Sequence, residues 1–194
     1  TSTNFKRKNK KNTYKILYAG NLGDGQDIYR LIRNAYENKR FLKYFEENNI
    51  VWDIYGSGSQ LEPIKDLLST NELRGKINYC GLVLRDDLPE IYSNANCLMF
   101  HLAEYLSLSL VIPSKIFEYA ATPYPILFSA SGFTKDFIDE IDGTINYKHG
   151  CFKSFVNSIK IAKKTTINLK ERSKFLYSHK QEKIIKNYVK HILN

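Results

Sequence analysis

Between Tyr14 and Lys163 the chain repeats one pattern: a short apolar run, a turn of glycine or polar residues, then a segment with helical spacing. The apolar runs are Tyr14–Ala19 (YKILYA), Val51–Tyr55 (VWDIY), Ile77–Tyr79, Cys97–His101 (CLMFH), Pro125–Phe128 (PILF) and Thr144–Asn146. Short runs that are apolar almost throughout fit strands buried on both faces. The helical segments are Asp27–Asn38, with Ile28, Leu31, Ile32 and Ala35 on one face, then Phe41–Glu47, Gln60–Ser69, Asp86–Asn94, Pro113–Ala121, Gly132–Glu140 and Phe152–Lys163. Asp86 or Asp87 is the expected N-cap of the fourth. Strands alternating with helices predict an α/β domain, a parallel sheet with helices on both faces. Ligands of such domains bind beyond the carboxyl ends of the strands.

The strand-end segments carry the chemistry. Pro113-Ser114-Lys115-Ile116-Phe117-Glu118 opens a helix with a proline, which suits a first helical position. Free amides there with Lys115 suit a phosphate, and Glu118 one turn on suits ribose hydroxyls. Gly20-Asn21-Leu22-Gly23-Asp24-Gly25-Gln26 ends the first strand, and its glycines allow backbone N–H groups close to a diphosphate. It has neither the dinucleotide glycine spacing nor a P-loop lysine. Gly56-Ser57-Gly58 is a second such turn, expected beside the first. In Gly81–Pro89, the apolar Val83-Leu84 suits a flat base, and Arg85 is either a ligand contact or an ordinary surface residue. His101 and Glu104 begin a loop too long and too apolar, from Tyr105 to Ile112, for a simple connector. Neither has an evident partner in sequence, which favours a structural histidine.

The charge is segregated. Of the net +9, residues 1–15 contribute six basic side chains and no acid, and residues 151–194 eleven basic and two acidic. Residues 16–150 hold twelve basic and eighteen acidic side chains, so the body is negative. That argues against a nucleic-acid partner, whose binding stripe belongs on the folded face. Basic ends suit a linker and a terminal helix near an anionic membrane surface or a partner domain. The last stretch supplies a stripe of Ile184, Ile185, Tyr188, Val189, Ile192 and Leu193, with Lys183, Lys186 and Lys190 largely opposite. No apolar run approaches the roughly 20 residues of a membrane span. Cys80, Cys97 and Cys151 lack metal-like spacing and read as free buried thiols of a reducing cytoplasm. There is no GxSxG elbow and no HExxH. Thr1 opens the chain and Met99 is its single methionine, so an excised piece of a longer protein is expected.

Four segments in order, AGNLGDGQ (19–26), DIYGSGSQL (53–61), NYCGLVLRDDLPEIYSNAN (78–96) and PSKIFEYAAT (113–122), resemble the C-terminal half of GT-B glycosyltransferases. More narrowly they are similar to family-4 retaining enzymes that build bacterial O-antigen and capsular polysaccharides. The resemblance implies a Rossmann-like donor-binding domain over 14–166, after a disordered basic linker (1–13) and before a C-terminal helical extension (167–194). It places Glu118 on the ribose, Val83 and Leu84 on the base, and Gly20, Asn21 and Gly23 near the diphosphate, with Gln26, Gly56, Pro113 and Ser114 in the same wall. Two positions depart from the family. Leu110 stands where the earlier of two paired glutamates would fall, and Asn21 and Gln26 replace a diphosphate-clamping arginine and lysine. Lys115, then Arg85, are the cations left to do that work.

The expected function is binding of a UDP-sugar donor, of the N-acetylhexosamine type, for a retaining transfer, with no cofactor and no metal. The expected setting is the cytoplasm, at the inner face of the membrane, with an acceptor domain preceding the chain. The sequence identifies no catalytic residue. Two alternatives stay open: half of a GT-B sugar-nucleotide epimerase, and a non-enzymatic module docking through its basic ends.

Overall fold

The computed structural model describes residues 13–181, so the basic start and the stripe from Ile184 to Leu193 lie outside the described residues. Six strands form one sheet: β1 (Tyr14–Asn21), β2 (Ile50–Ser57), β3 (Ile77–Tyr79), β4 (Cys97–His101), β5 (Ile126–Ser129) and β6 (Thr144–Asn146). All neighbours are parallel, in the order β3-β2-β1-β4-β5-β6. Among the described residues eight α-helices connect and flank them: α1 (Ile28–Glu37), α2 (Lys39–Glu47), α3 (Leu61–Leu68), α4 (Leu88–Ser93), α5 (Lys115–Ala120), α6 (Gly132–Asp139), α7 (Phe152–Ala162) and α8 (Leu169–Ser178). The expected α/β fold, with its sheet covered on both faces, is present.

Strand geometry explains the continuous apolar runs. Successive side chains of a strand point to opposite faces. Ile16 and Tyr18 of β1 and Cys97 and Met99 of β4 therefore join a core with α1, α2, α3 and α7. Leu17 and Ala19, with Leu98 and Phe100, join a second core with α4, α5, α6 and α8. Trp52, Phe45 and Phe155 anchor the first, and Tyr92, Tyr119 and Phe128 the second. The chain runs outward from β1 to β3, then returns to the other side of β1 with β4. That reversal between β1 and β4 is the position where open parallel sheets place a ligand crevice.

Several boundaries differ from expectation. β1 and β2 are each eight residues and run through their glycines, with Gly20 opposite Gly56 and Asn21 opposite Ser57. These glycines are paired strand residues and not only turns. Helix α5 starts at Lys115, two residues after the proline, because the amides of Ile116 and Phe117 bond back three residues to the carbonyls of Pro113 and Ser114 in a tight first turn. Asp87 holds the cap position of α4 but makes no side-chain capping bond, and Arg85–Asp87 form a 3-10 turn instead. Of the three thiols only Cys97 is buried, and Cys80 is exposed beyond the end of β3. No helix among the described residues is long and apolar enough to cross a membrane.

Helix α8 packs on this body through Phe175 and Leu176 and through Arg172, which is 1% exposed. The guanidinium donates to the carbonyls of Thr122 (2.6 Å) and Tyr119 (3.4 Å) at the end of α5, and to that of Asp142 (2.8 Å) before β6. A cation at a helix C-terminus also meets the negative end of the helix dipole. Burial draws the Arg172 pKa down to about 10, so it stays charged near neutrality. Arg172→Ala would leave these carbonyls without their donor in the core, at about 1–3 kcal/mol per stranded group. We expect it to lower the unfolding free energy in urea by about 3 kcal/mol or more; an unchanged midpoint would contradict this role.

Candidate functional site

A cavity of about 250 Å³ opens at the carboxyl ends of β1 and β2. Its wall is formed by Ala19, Gly20 and Asn21, by Tyr55, Gly56 and Ser57, by Leu82, Val83 and Leu88, and by Lys115. Three segments expected to meet, and the lysine expected to face them, do meet. The meeting depends on missing side chains. Gly56 has φ +136, and a Cβ there would lie 1.8 Å from the carbonyl oxygen of Gly20. A Cβ on Gly20 would stand 3.3 Å from Cε of Lys115, so the lysine stem lies against the β1 backbone.

Lys115 belongs to a charged cluster built around Glu118. The Glu118 carboxylate is 7% exposed. It accepts from Arg85 Nη2 at 3.3 Å on Oε1 and from the Tyr92 hydroxyl at 3.3 Å on Oε2. Lys115 Nζ lies 3.9 Å from Oε2 and 5.8 Å from the centre of the Tyr119 ring. Burial, helped by Arg85, draws the Lys115 pKa down from its ordinary value, and Glu118 opposes the shift. One carboxylate thus faces two cations, which leaves net positive charge beside the cavity. Arg85 is the loose member, since its side chain is 78% exposed. An exposed pair of that kind holds weakly and re-forms elsewhere at little cost.

Other expected site residues lie around this wall without lining it. Gly23, Gln26, Leu84, Arg85, Pro113, Ser114 and Glu118 are outside the lining set. Asn21 and Gln26, which stand where cations were expected, bond to each other (Nδ2 to Oε1, 2.8 Å) and brace the loop. Gln60 ties the same loop to β2, through its amide to the Leu22 carbonyl and its side chain to Asp24. Leu84 is 72% exposed, as is Leu82, so this apolar loop projects over the cavity mouth. Ala19, Tyr55, Ser57 and Leu88 complete the wall and were not foreseen. Ser57 was readable, being the middle of Gly56-Ser57-Gly58, whereas Leu88 reaches the cavity only through the tight turn at 85–87.

The loop after β4 is anchored rather than free. Its 3-10 turn, Leu106–Leu110, hangs on buried Thr134, whose hydroxyl bonds the carbonyls of Leu108 (2.8 Å) and Val111 (2.6 Å). The Ala103 amide donates to the Gly25 carbonyl at 3.0 Å, pinning this loop to the glycine loop. Leu106 and Leu110 stay 80% and 64% exposed. His101, at the end of β4, has the partners that sequence did not reveal. Its Nδ1 meets the Tyr147 hydroxyl at 2.7 Å, and its ring stacks on His149 at 4.9 Å. His149 Nε2 lies 3.1 Å from Asp27 Oδ2. Burial pushes His101 down to about 3, helped by His149 and Arg30, so it is neutral near pH 7. Tyr147 is 46 residues from His101 along the chain, and His149 is 122 residues from Asp27, beyond the reach of any local motif.

The sequence matches the family Glycosyl transferases group 1 over residues 1–190. No curated protein matches it. Among solved structures, the catalytic domain of cholesterol-alpha-glucosyltransferase from Helicobacter pylori is similar at TM-score 0.56 and 17% identity, covering 85% of this chain and 97% of that one. The lipopolysaccharide outer core galactosyltransferase WaaB is similar at TM-score 0.62 and 14% identity, covering 100% of this chain and 52% of that one. A Staphylococcus aureus TarM mutant, in complex with fondaparinux, alpha-GlcNAc-glycerol and UDP, is similar at 0.61 and 15%, covering 95% and 36%. The chain thus spans about half of WaaB and about a third of TarM. At these identities the likeness is one of fold.

The glycine contact is separable from glycine conformation. Gly56 and Gly150 both have positive φ, but a Cβ on Gly150 would meet nothing within 4 Å. Gly150→Ala is expected to cost about 1–2 kcal/mol of backbone strain. Gly56→Ala must in addition separate β1 from β2, and is expected to cost more than about 4 kcal/mol in urea unfolding. Equal costs would show that the close approach does not matter.

Proposed function

The chain belongs to the Glycosyl transferases group 1 family, and on that premise we propose that residues 14–166 bind the nucleotide-sugar donor of a retaining glycosyltransferase. The observation that carries the proposal is the cavity where the β1 and β2 ends, the 82–84 loop and Lys115 meet. The donor is a UDP-sugar of the N-acetylhexosamine type. UDP and a GlcNAc compound are bound in the TarM complex, whose fold this chain shares. The base lies on Leu82, Val83 and Leu84, the diphosphate against Gly20, Asn21, Ser114 and Lys115, and the ribose hydroxyls on Glu118. Glu118 is engaged by Arg85, Tyr92 and Lys115. A carboxylate offers about four lone pairs, so two ribose donors fit once Arg85 leaves.

The chemical task is leaving-group stabilisation. As the bond from the anomeric carbon to the diphosphate oxygen breaks, the electron pair stays on the UDP. Fixed positive charge in a partly dry site stabilises it more than water would. Lys115 is held for that role, and Arg85, released from Glu118, adds a second cation. With two cations available, the transfer is proposed to need no metal. The acceptor sits on a domain outside this chain, the product belongs to a bacterial surface polysaccharide, and the basic ends of the chain keep the enzyme at the inner face of the membrane. The chain alone therefore binds UDP weakly and transfers nothing.

Calorimetric titration tests the assignment. Losing one charge-assisted bond of about 1.5–3 kcal/mol is a ten- to hundredfold effect. Lys115→Ala should weaken UDP by that factor and leave uridine unaffected, while Glu118→Gln weakens both. Affinities should not change in EDTA. UDP binding equally well to Lys115→Ala, or binding of anionic vesicles with no nucleotide binding at all, would overturn the proposal.

A further inference from the structure

Asp27, His101 and His149 each bring one metal-ligating atom within 4.8 Å of the other two. They come from three places in the chain: the residue before α1, the end of β4, and the loop after β6. His101 is 1% exposed, and the side chains of His149 and Asp27 are 8% and 15% exposed. The cluster stands apart from the nucleotide wall and has none of its lining residues. It borders a separate polar cavity of about 170 Å³, lined in part by Glu104, Asn146, Lys148 and His149.

We propose that Asp27, His101 and His149 bind a divalent transition-metal ion of the zinc class. Two imidazoles and one carboxylate are the donor set such ions take, and a hard magnesium or calcium ion would not choose imidazoles. With bonds of about 2.0–2.1 Å, two ligands of a tetrahedral zinc stand about 3.3 Å apart. The Asp27 Oδ2 to His149 Nε2 edge, at 3.1 Å, already has that length. His101 closes the remaining gap by tilting its ring out of the near-parallel stack it makes with His149. The cavity beside His149 leaves room for water at the fourth position.

The surroundings fit the demands of a ligated histidine, which needs its other nitrogen held by a hydrogen-bond partner. His101 Nδ1 is held by the Tyr147 hydroxyl at 2.7 Å. If the ring donates that bond, Nε2 presents its lone pair. His149 Nδ1 faces Glu104 Oε2 at 4.0 Å. With the metal on Nε2, the neutral imidazole of His149 carries its single ring proton on Nδ1, toward Glu104. Arg30, 3.9 Å from Asp27 and 64% exposed, is displaced into solvent at little cost.

The site is independent of the donor-site proposal, and its test reads metal binding rather than transfer. The full chain, stripped with EDTA and dialysed, is titrated calorimetrically with zinc chloride, and with cobalt(II) chloride while its visible absorption is followed. We expect one ion per chain, an intensified cobalt band, and no competition from magnesium. His149→Gln and Asp27→Asn should each weaken zinc about tenfold or more. His149 and Asp27 are less deeply buried than His101, so their variants should keep the wild-type circular dichroism where His101→Gln does not. Cys80→Ser controls for the exposed thiol and should change nothing. Absence of zinc binding, unchanged affinity in folded His149→Gln and Asp27→Asn, or loss in Cys80→Ser would each overturn the proposal.

Discussion

The close approach of β1 to β2 at Gly20 and Gly56 is the constraint on which the site depends. Here the backbones meet so closely that a methyl group at Gly56 would overlap the Gly20 carbonyl. Both strands therefore extend to Asn21 and Ser57 before turning, and the loops that follow are cross-linked by the Leu22, Asp24 and Gln60 contacts. The cavity floor is consequently backbone, with the Lys115 stem alongside. A backbone floor is what lets amide groups approach an anionic ligand.

Charge around that floor is organised by a single buried carboxylate. Glu118 holds Lys115 close and Arg85 loosely, and Tyr92 fixes its orientation from the second core. The helix carrying Lys115 and Glu118 is only six residues long and owes little to its own propensity. Its stability comes from Ile116, Tyr119 and Ala120 in the core and from Arg172, which binds carbonyls at its far end. Helix α8 is thus tied to the position of Lys115 without touching the cavity.

The fold was legible because its signal is local. Runs such as CLMFH and VWDIY lie between two helix layers, so they are apolar almost throughout, and helical spacing marked every connection. The meeting of the glycine turns with Lys115 was legible once the sheet was known to be parallel. Reach was not legible. Glu118 reads as an open acceptor in sequence, yet in the fold three groups engage it. Asn21 and Gln26 read as lost cations, yet they pair with each other. His101 read as solitary, because Tyr147, His149 and Asp27 meet it only through the order in which β1, β4, β5 and β6 are laid down.

The central claim is that Lys115 and Glu118 mark the two ends of a nucleoside diphosphate. A crystal structure of the full chain grown with UDP tests it most directly. The predicted result is a β-phosphate within hydrogen-bonding distance of Lys115 Nζ, a ribose hydroxyl on Glu118, Arg85 turned away from that carboxylate, and uracil over Leu82–Leu84. A diphosphate bound in the cavity beside Lys148 and His149, or one that leaves the Arg85–Glu118 pair intact and Lys115 untouched, would contradict it.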